Sequence, residues 1–207
     1  MEKGTFIVID GGEGSGKTTV AAQVKEALGG ECVLTHDPGG APFSKLVRGL
    51  VLTDDAKHAD AETLFALFWA SRRDLLVHTI APALAEGKTV VCDRFDSSTW
   101  AYQIKGQQQP RLAELFWSIR AHFLSGLKPA RYIILDVAAE EGARRVEARG
   151  SGKNHFGVRP AEFHERVRAG FLDFVEQKQI AGTVVDAHHP LAQVSQDVIT
   201  HIQEYNK

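Results

Sequence analysis

The residues best suited to chemistry form a glycine-rich stretch near the N-terminus. The stretch fits the pattern G-x-x-x-x-G-K-[ST] and consists of Gly11, Gly12, Glu13, Gly14, Ser15, Gly16, Lys17 and Thr18, with Thr19 next. The glycines let backbone N–H groups turn toward phosphate oxygens, and a helix that starts at the end of the stretch adds a favourable dipole. Lys17 would reach the β- and γ-phosphates of a nucleoside triphosphate, and Thr18 would offer its hydroxyl to Mg²⁺. The stretch therefore predicts a Walker loop, which NTPases and small-molecule kinases share.

A second charged pair lies where a phosphate acceptor would need it. Asp93 and Arg94 directly follow the apolar run Thr89–Cys92. The carboxyl ends of strands line the ligand crevice of a parallel α/β sheet, so both side chains are expected beside the Walker loop. An aspartate there can hold Mg²⁺ through water, and an arginine can clamp phosphate oxygens with two hydrogen bonds. The alternative is an Asp–Arg pair that only caps the following helix.

Short apolar runs and longer helical patterns alternate along the chain and would position these residues. The predicted strands are Thr5–Asp10, Cys32–Thr35, Thr89–Cys92, Tyr132–Asp136 and Val184–Asp186. The predicted helices include Thr18–Leu28, Phe43–Leu52, Ala61–Ala85 and Leu191–Tyr205. Apolar strands separated by helices predict a three-layer α/β/α fold of the P-loop NTPase class, with a central parallel sheet of about five strands.

The segment between residues 150 and 160 differs in character from these elements. It contains three glycines and two cationic residues in eleven positions. This composition is typical of a flexible loop, so we expect a mobile lid between two helices. The chain of 207 residues is then expected to form a single domain, 1–207.

The composition argues against several classes of function. The chain carries 24 basic and 26 acidic residues, a formal net charge of −2, which disfavours an electrostatic nucleic-acid binder. Its apolar runs are strand-sized, so no membrane span is expected, and the N-terminus lacks the pattern of a signal peptide. Cys32 and Cys92 lie in apolar runs and are expected to be separate buried thiols. These features predict a soluble, reduced, cytoplasmic protein.

Several stretches along almost the whole chain match one known family in order and in spacing. They are Phe6–Thr19, Asp37–Gly40, Leu67–Arg72, Ala81–Leu84, Asp93–Gln103, Arg145–Gly150 and Asp186–Leu191. The most discriminating is Asp93–Gln103, with the pattern D-R-x-x-x-S-x-x-A-Y-Q. On these stretches the chain resembles thymidylate kinases of the bacterial type. The resemblance implies in-line phosphoryl transfer from ATP–Mg²⁺ to thymidine monophosphate (dTMP), and a homodimer formed through helices.

The resemblance also implies roles for residues on the acceptor side. Phe68 would stack on the pyrimidine ring, and Arg72, one helical turn further on, would donate to a base carbonyl. Arg94 would bind the acceptor phosphate and the group in transfer. The other acceptor contacts would come from Asp37, Pro38, Ser98, Thr99, Tyr102 and Gln103.

Some of the implied roles have a specific physical reason. Tyr102 would crowd the place of a 2′-hydroxyl and so favour deoxyribose. Pro38 would fix a tight turn beneath the acceptor phosphate, through a trans or a cis bond. Glu13 places a carboxylate inside a phosphate-binding loop, so a separate role is expected for it, either accepting from the acceptor's 3′-hydroxyl or helping to place Mg²⁺. Arg149 would stack on adenine.

The predicted lid departs from the family pattern. Asn154 stands where bacterial relatives place an arginine. A cation is still needed near the transferred group, because its oxygens carry the developing charge. Lys153 is the nearest candidate, followed by Arg149 and Arg159.

Two further departures lie on the acceptor side. His36 and Asp37 replace the usual Arg-Glu before Pro38, and Ile104–Gln107 replaces a glycine-rich stretch that borders the base pocket. The departures in the lid and on the acceptor side leave two alternatives open. The first, suggested by Gln103–Gln107 and Trp69, is a kinase of the same fold for another deoxypyrimidine monophosphate, such as a modified deoxyuridine or deoxycytidine monophosphate. The second, suggested only by the atypical lid, is a nucleotide-binding module without catalysis.

Overall fold

One sheet of five parallel strands forms the centre of the protein. The computed structural model describes residues 4–150 and 159–205. The strands are β1 (Phe6–Gly11), β2 (Cys32–His36), β3 (Thr89–Asp93), β4 (Arg131–Asp136) and β5 (Gly182–Asp186). They lie in the order β2-β3-β1-β4-β5, and all neighbours are parallel. The predicted fold class is therefore confirmed.

Helices connect the strands and cover both faces of the sheet. They are α1 (Lys17–Leu28), α2 (Pro42–Val51), α3 (Ala61–Leu75), α4 (Ala81–Ala85), α5 (Asp96–Thr99), α6 (Leu112–Phe123), α7 (Ala139–Ala148), α8 (Ala161–Val175) and α9 (Leu191–Tyr205). Two wider π-helical segments, Leu76–Ile80 and Trp100–Gly106, continue α3 and α5. The segment between α7 and α8, where a lid was predicted, lies largely outside the described residues.

Two apolar layers fix the central strand β1 between the helices. All six residues of β1 are buried, as is typical of a strand covered on both faces. On one face, Ile7 and Ile9 belong to a cluster with Val20 of α1 and Val198 of α9. The cluster on the other face combines Phe6 and Val8 with Trp69, Phe116 and Phe174 from α3, α6 and α8. The Walker loop therefore leaves the sheet from its central, fully buried strand.

The long helix predicted over Ala61–Ala85 is helical throughout but not regular. It is divided into α3, the π-helical segment Leu76–Ile80 and α4. Pro82 lies in the first turn of α4. Because proline has no N–H and its ring clashes with the carbonyl four residues earlier, a regular α-helix cannot pass through this point. The wider turn before Pro82 accommodates it.

The two cysteines behave as expected from their apolar surroundings. Cys32 and Cys92 are buried and form no disulfide. Burial raises the pKa of both thiols, that of Cys92 strongly. A search of the described ranges for a helix long and apolar enough to cross a membrane finds none.

Candidate active site

A cleft of about 570 Å³ opens at the carboxyl ends of the strands. The Walker loop and the residues that follow β2 and β3 contribute to its lining. The predicted site residues that line it are Glu13, Gly14, Gly16, Lys17, Thr18, Thr19, Asp37, Pro38, Phe68, Arg72, Asp93, Arg94, Ser98, Thr99, Tyr102, Gln103 and Arg149. Within the described part of the chain, Gly11, Gly12 and Ser15 belong to the Walker loop without lining this cleft. Lys153 lies outside the described residues.

The Walker loop passes through backbone conformations that favour glycine. Gly14 and Gly16 have φ angles of 71° and 88°, in the left-handed region. Gly14 also lies against α7: a Cβ on Gly14 would be 2.1 Å from the carbonyl oxygen of Gly142. Only a residue without a side chain fits there, so the loop sequence is matched to the helix beside it.

Lys17 begins α1 and folds back over the loop. Its ammonium donates to the carbonyl oxygen of Gly12 at 2.9 Å. Burial, followed by the charge of Arg94, lowers the pKa of Lys17 to about 8. A bound phosphate would favour the charged form again, because opposite charges stabilise each other. Lys17 is thus placed to respond to a polyphosphate ligand.

Thr18 and Asp93 meet across the cleft floor although 75 positions separate them in sequence. The Thr18 hydroxyl donates to Asp93 Oδ2 at 2.6 Å. The second oxygen, Asp93 Oδ1, is buried and has no hydrogen-bond partner among the described residues. A hydroxyl and a carboxylate are the oxygen donors that Mg²⁺ prefers, so these two residues fit an Mg²⁺ site.

Arg94 occupies a strained position directly after β3. Its φ angle is 68°, which is uncommon for any residue other than glycine. Its N–H donates to the carbonyl oxygen of Ile9 at 3.0 Å, which ties the turn to β1. The guanidinium is part-exposed to the cleft and lies 5.4 Å from the ring centre of Tyr102. Strain of this kind persists only where surrounding contacts determine the conformation, and it is common at functional sites.

Arg72 is buried between aromatic rings, and one of its guanidinium nitrogens has no hydrogen-bond partner among the described residues. Its Nε donates to Asp37 Oδ2 at 2.8 Å, and its Nη2 donates to the carbonyl oxygen of Phe95 and to Thr99 Oγ1. The guanidinium carbon lies 4.6 Å from the ring centre of Trp69. Nη1 is buried and unpartnered within the described residues, and Arg72 lines the cleft. This nitrogen is a free donor for a ligand carbonyl.

Asp37 begins the turn that leads from β2 to α2. It is buried, and burial raises the pKa of its carboxyl although Arg72 acts to lower it. The bond between Asp37 and Pro38 is cis. Arg48 of α2 donates to the carbonyl oxygen of Pro38 at 3.0 Å. The turn is therefore held from both α2 and α3.

One wall of the cleft combines α3, α5 and the π-helical segment. Ser98 and Thr99 belong to α5, and Tyr102 belongs to the π-helical segment that continues it. A π-helix starts at Trp100, yet all three residues and Gln103 still line the cleft. Tyr102 is held from behind by aromatic rings of α8, with Phe163 and Phe171 each 6.1 Å away between ring centres. Its position is thus set by packing as well as by helix geometry.

Two polar residues of the site gave no recognised signal in the sequence. Arg48 lines the cleft from α2, and a single arginine in an amphipathic helix looks like an ordinary surface residue. Asp10 is the last side chain of β1 before the Walker loop and is fully buried. For Asp10 a signal was available but was not recognised: the sequence shows a charged residue at the end of an otherwise apolar strand.

Comparison with known proteins decides the family. A sequence profile described as Thymidylate kinase matches residues 9–198. The chain belongs to the thymidylate kinase family. Similar members include the thymidylate kinases of Caulobacter vibrioides, 38% identical over 198 residues, and Ruegeria pomeroyi, 37% identical over 206 residues. The first alignment covers 94% of each chain and the second 96%.

A further relative gives the same result. The thymidylate kinase of Bacillus pumilus is 35% identical over 205 residues, covering 97% of this chain and 96% of the relative. The resemblance inferred from the motifs is therefore confirmed. Membership in the thymidylate kinase family also agrees with the five-stranded parallel sheet and the Walker loop at the end of β1.

Proposed function

We propose that this protein transfers the γ-phosphoryl group of ATP to dTMP, forming ADP and dTDP. The observation that best supports this proposal is that Arg94 lies in the same cleft as the Walker loop and the unpartnered Nη1 of Arg72. A triphosphate on the Walker loop and a monophosphate beside Arg94 would present their phosphates to each other. Membership in the thymidylate kinase family supports this choice of reaction.

The donor would be held by the loop and by α1. The loop N–H groups and the N-terminus of α1 would bind phosphate oxygens, and Lys17 would neutralise the β- and γ-phosphates. Thr18 and Asp93 would hold Mg²⁺, which supplies positive charge to the same oxygens when it is bound. Arg149, at the C-terminal end of α7, lines the same cleft and would stack on adenine.

The acceptor would be recognised by one stacking contact and by directed hydrogen bonds. Phe68 would stack on the pyrimidine, and Arg72 Nη1 would donate to a base carbonyl. Tyr102 would occupy the space of a 2′-hydroxyl and so favour deoxyribose. Ser98, Thr99, Gln103, Asp37 and Pro38 would complete this pocket. Glu13 would accept from the 3′-hydroxyl or help to place Mg²⁺.

The transfer itself would need positioning and charge stabilisation, with no covalent intermediate. Arg94 would hold the acceptor phosphate in line with the γ-phosphate and spread the developing charge over its guanidinium. Lys153 would add a second cation from the segment near residues 150–160. Closure of that segment as a lid would exclude water and suppress ATP hydrolysis. We infer that residues 1–207 form a single kinase domain.

A coupled assay across monophosphates tests the proposal. With ATP and Mg²⁺, we expect dTMP to give the highest kcat/KM, well above dUMP, dCMP, UMP, dAMP and dGMP. A different deoxypyrimidine as the best substrate would replace dTMP in the proposal while leaving the reaction intact. ATP binding without ADP formation in the presence of any monophosphate would contradict a kinase function.

We also propose that the protein is a cytoplasmic homodimer. The exposed face of α2 carries Phe43, Leu46 and Leu50, which are 54%, 65% and 58% exposed. Three large apolar side chains on one helix face are typical of an interface. Light scattering should report a dimer, and Leu46→Glu should shift it to monomer. Val184→Glu, at an exposed apolar site on β5, is the matched control that should remain dimeric. The buried free thiols agree with a reducing compartment.

A further inference from the structure

Asp10 is a buried carboxylate with no place in the phosphoryl-transfer scheme above. It is the last side chain of β1 before the Walker loop and is 0% exposed. Burial raises the pKa of its carboxyl, whereas Arg94 and Ser97 act to lower it. A charged group is costly to bury without a specific set of partners. Its partners therefore indicate what it does.

The contacts of Asp10 join the two halves of the site. Its Oδ1 accepts from the N–H of Gly11, the first residue of the Walker loop, at 2.8 Å. Its Oδ2 accepts from the hydroxyls of Ser97 at 2.6 Å and of Ser98 at 2.8 Å. Both serines belong to α5, directly after Arg94 and Phe95. One carboxylate thus ties the donor loop to the segment that carries the acceptor arginine.

Ser98 transmits this contact to Arg94. The Ser98 hydroxyl has one proton, which it donates to Asp10, so its lone pairs are left for other donors. Arg94 Nη1 donates to Ser98 Oγ at 3.3 Å and lies 3.6 Å from Asp10 Oδ1. The guanidinium therefore has an oriented hydroxyl and a fixed anion beside it. Both contacts restrict a long side chain that would otherwise be free to change rotamer.

The charge of Asp10 argues against a role in binding affinity. A buried anion close to the cleft repels anionic substrates, and this repulsion is poorly screened. A residue at this position that only had to attract phosphates would be neutral or cationic. A buried anion at this position therefore weakens the attraction of the site for phosphates. It is favourable overall only if the orientation that it gives to Arg94 increases turnover by more than this weaker attraction reduces binding.

We propose that Asp10 is a positioning residue for phosphoryl transfer, which sets the guanidinium of Arg94 relative to the Walker loop through Ser98 and Gly11. The inference rests on the proposed kinase function and deepens it. The inference predicts different effects on turnover and on binding. Loss of the Asp10 carboxylate removes both a contact that orients Arg94 and a negative charge that repels the acceptor phosphate. Turnover should fall, whereas the KM for the acceptor should change little.

The test compares Asp10→Asn with Asp136→Asn. Asp136 ends the neighbouring strand β4 and pairs with Arg168 at 2.7 and 2.8 Å, but it does not line the cleft. We expect Asp10→Asn to lower kcat at least about tenfold, with the KM for the acceptor within roughly threefold of wild type. Asp136→Asn should keep kcat within about twofold. The melting temperatures of both variants show how much of each decrease in kcat is due to unfolding of the protein.

Ser97→Ala keeps the test decisive if Asp10→Asn does not fold. Ser97 is buried, contacts Asp10 and does not line the cleft. It should lower kcat about threefold at unchanged acceptor KM, because the carboxylate loses one of its fixed donors.

Three results would overturn the inference. The first is an unchanged kcat in Asp10→Asn. The second applies if Asp10→Asn does not fold, and it is an unchanged kcat in Ser97→Ala. The third is a loss of kcat in Asp136→Asn that equals the loss in Asp10→Asn. The assay uses the monophosphate that the wild-type enzyme phosphorylates best. An inactive wild-type enzyme would contradict the proposed function, whereas an active one with unaffected Asp10 variants would contradict only the role of Asp10.

Discussion

Gly14 of the Walker loop and Gly142 of α7 touch through their backbones. A Cβ on Gly142 would lie 2.3 Å from the carbonyl oxygen of Glu13, and a Cβ on Gly14 would lie 2.1 Å from that of Gly142. No side chain separates the phosphate loop from α7, whose C-cap residue is Arg149. The positions of the phosphate site and of the proposed adenine site are therefore linked.

Replacing Gly142 by alanine should weaken ATP binding. The added methyl must push the backbone of Glu13 or α7 away, which misplaces the loop N–H groups. We expect the ATP dissociation constant to rise at least about tenfold, measured by calorimetry without acceptor. Gly49→Ala is the matched control, since a Cβ on Gly49 meets nothing within 4 Å and alanine favours the helix. Equal ATP affinity in the two variants would contradict the link between α7 and the loop.

Phe68→Ala should weaken acceptor binding selectively. Loss of a base–aromatic stack costs about 1–3 kcal/mol, so the KM for dTMP should rise by roughly fivefold to 150-fold, with a smaller change in the KM for ATP. Phe65, one helical turn earlier, is 2% exposed and belongs to the core. Phe65→Ala should instead lower the unfolding free energy by about 3–5 kcal/mol. A rise in the dTMP KM that is no larger for Phe68→Ala than for Phe65→Ala would remove Phe68 from the base pocket.

ATP affinity should depend on the protonation of Lys17. In the ligand-free protein its pKa is lowered to about 8, so it loses half of its charge by that pH and most of it by pH 9. Bound phosphates favour the protonated form, which means that ATP binding at higher pH takes up a proton. Calorimetry in two buffers of different ionisation enthalpy should show almost no uptake at pH 7 and roughly one proton at pH 9.

The dissociation constant for ATP should then increase by up to about tenfold per pH unit above pH 8, until the pKa of the bound state is reached. Adenosine is the control ligand, because it has no phosphate for Lys17 to contact. A pH-independent ATP affinity between pH 7 and 9 would show that Lys17 keeps its proton throughout.

The strands and the Walker loop could be predicted because local patterns determine them. The run from Phe6 to Ile9 is apolar on both faces, and the loop that follows Asp10 needs glycine where φ is positive. The position of Asp93 and Arg94 beside the Walker loop could be predicted in the same way, because they lie at the end of a second buried strand. These features depend on neighbours in sequence.

Features that depend on distant packing were not predictable in the same way. The π-helical segment Trp100–Gly106 packs against α8, where a Cβ on Gly170 would lie 2.9 Å from Ala101. Nothing in the local periodicity specifies that wider turn. Arg48 and Asp10 join the site through contacts with Pro38 and with the residues after β3. The structure brings most of the predicted site residues into one cleft, and their individual roles remain predictions.

The central claim is that a phosphoryl group passes directly between two nucleotides beside Arg94. The single-turnover rate of phosphoryl transfer, measured by rapid quench with labelled ATP and saturating dTMP, tests it most directly. Arg73→Ala is the matched control, an exposed arginine on α3 whose Nη1 donates to the carbonyl oxygen of Phe123. We predict that Arg94→Ala lowers the rate about a hundredfold or more with little change in melting temperature, whereas Arg73→Ala stays within about twofold. A rate for Arg94→Ala within about threefold of wild type would contradict the account.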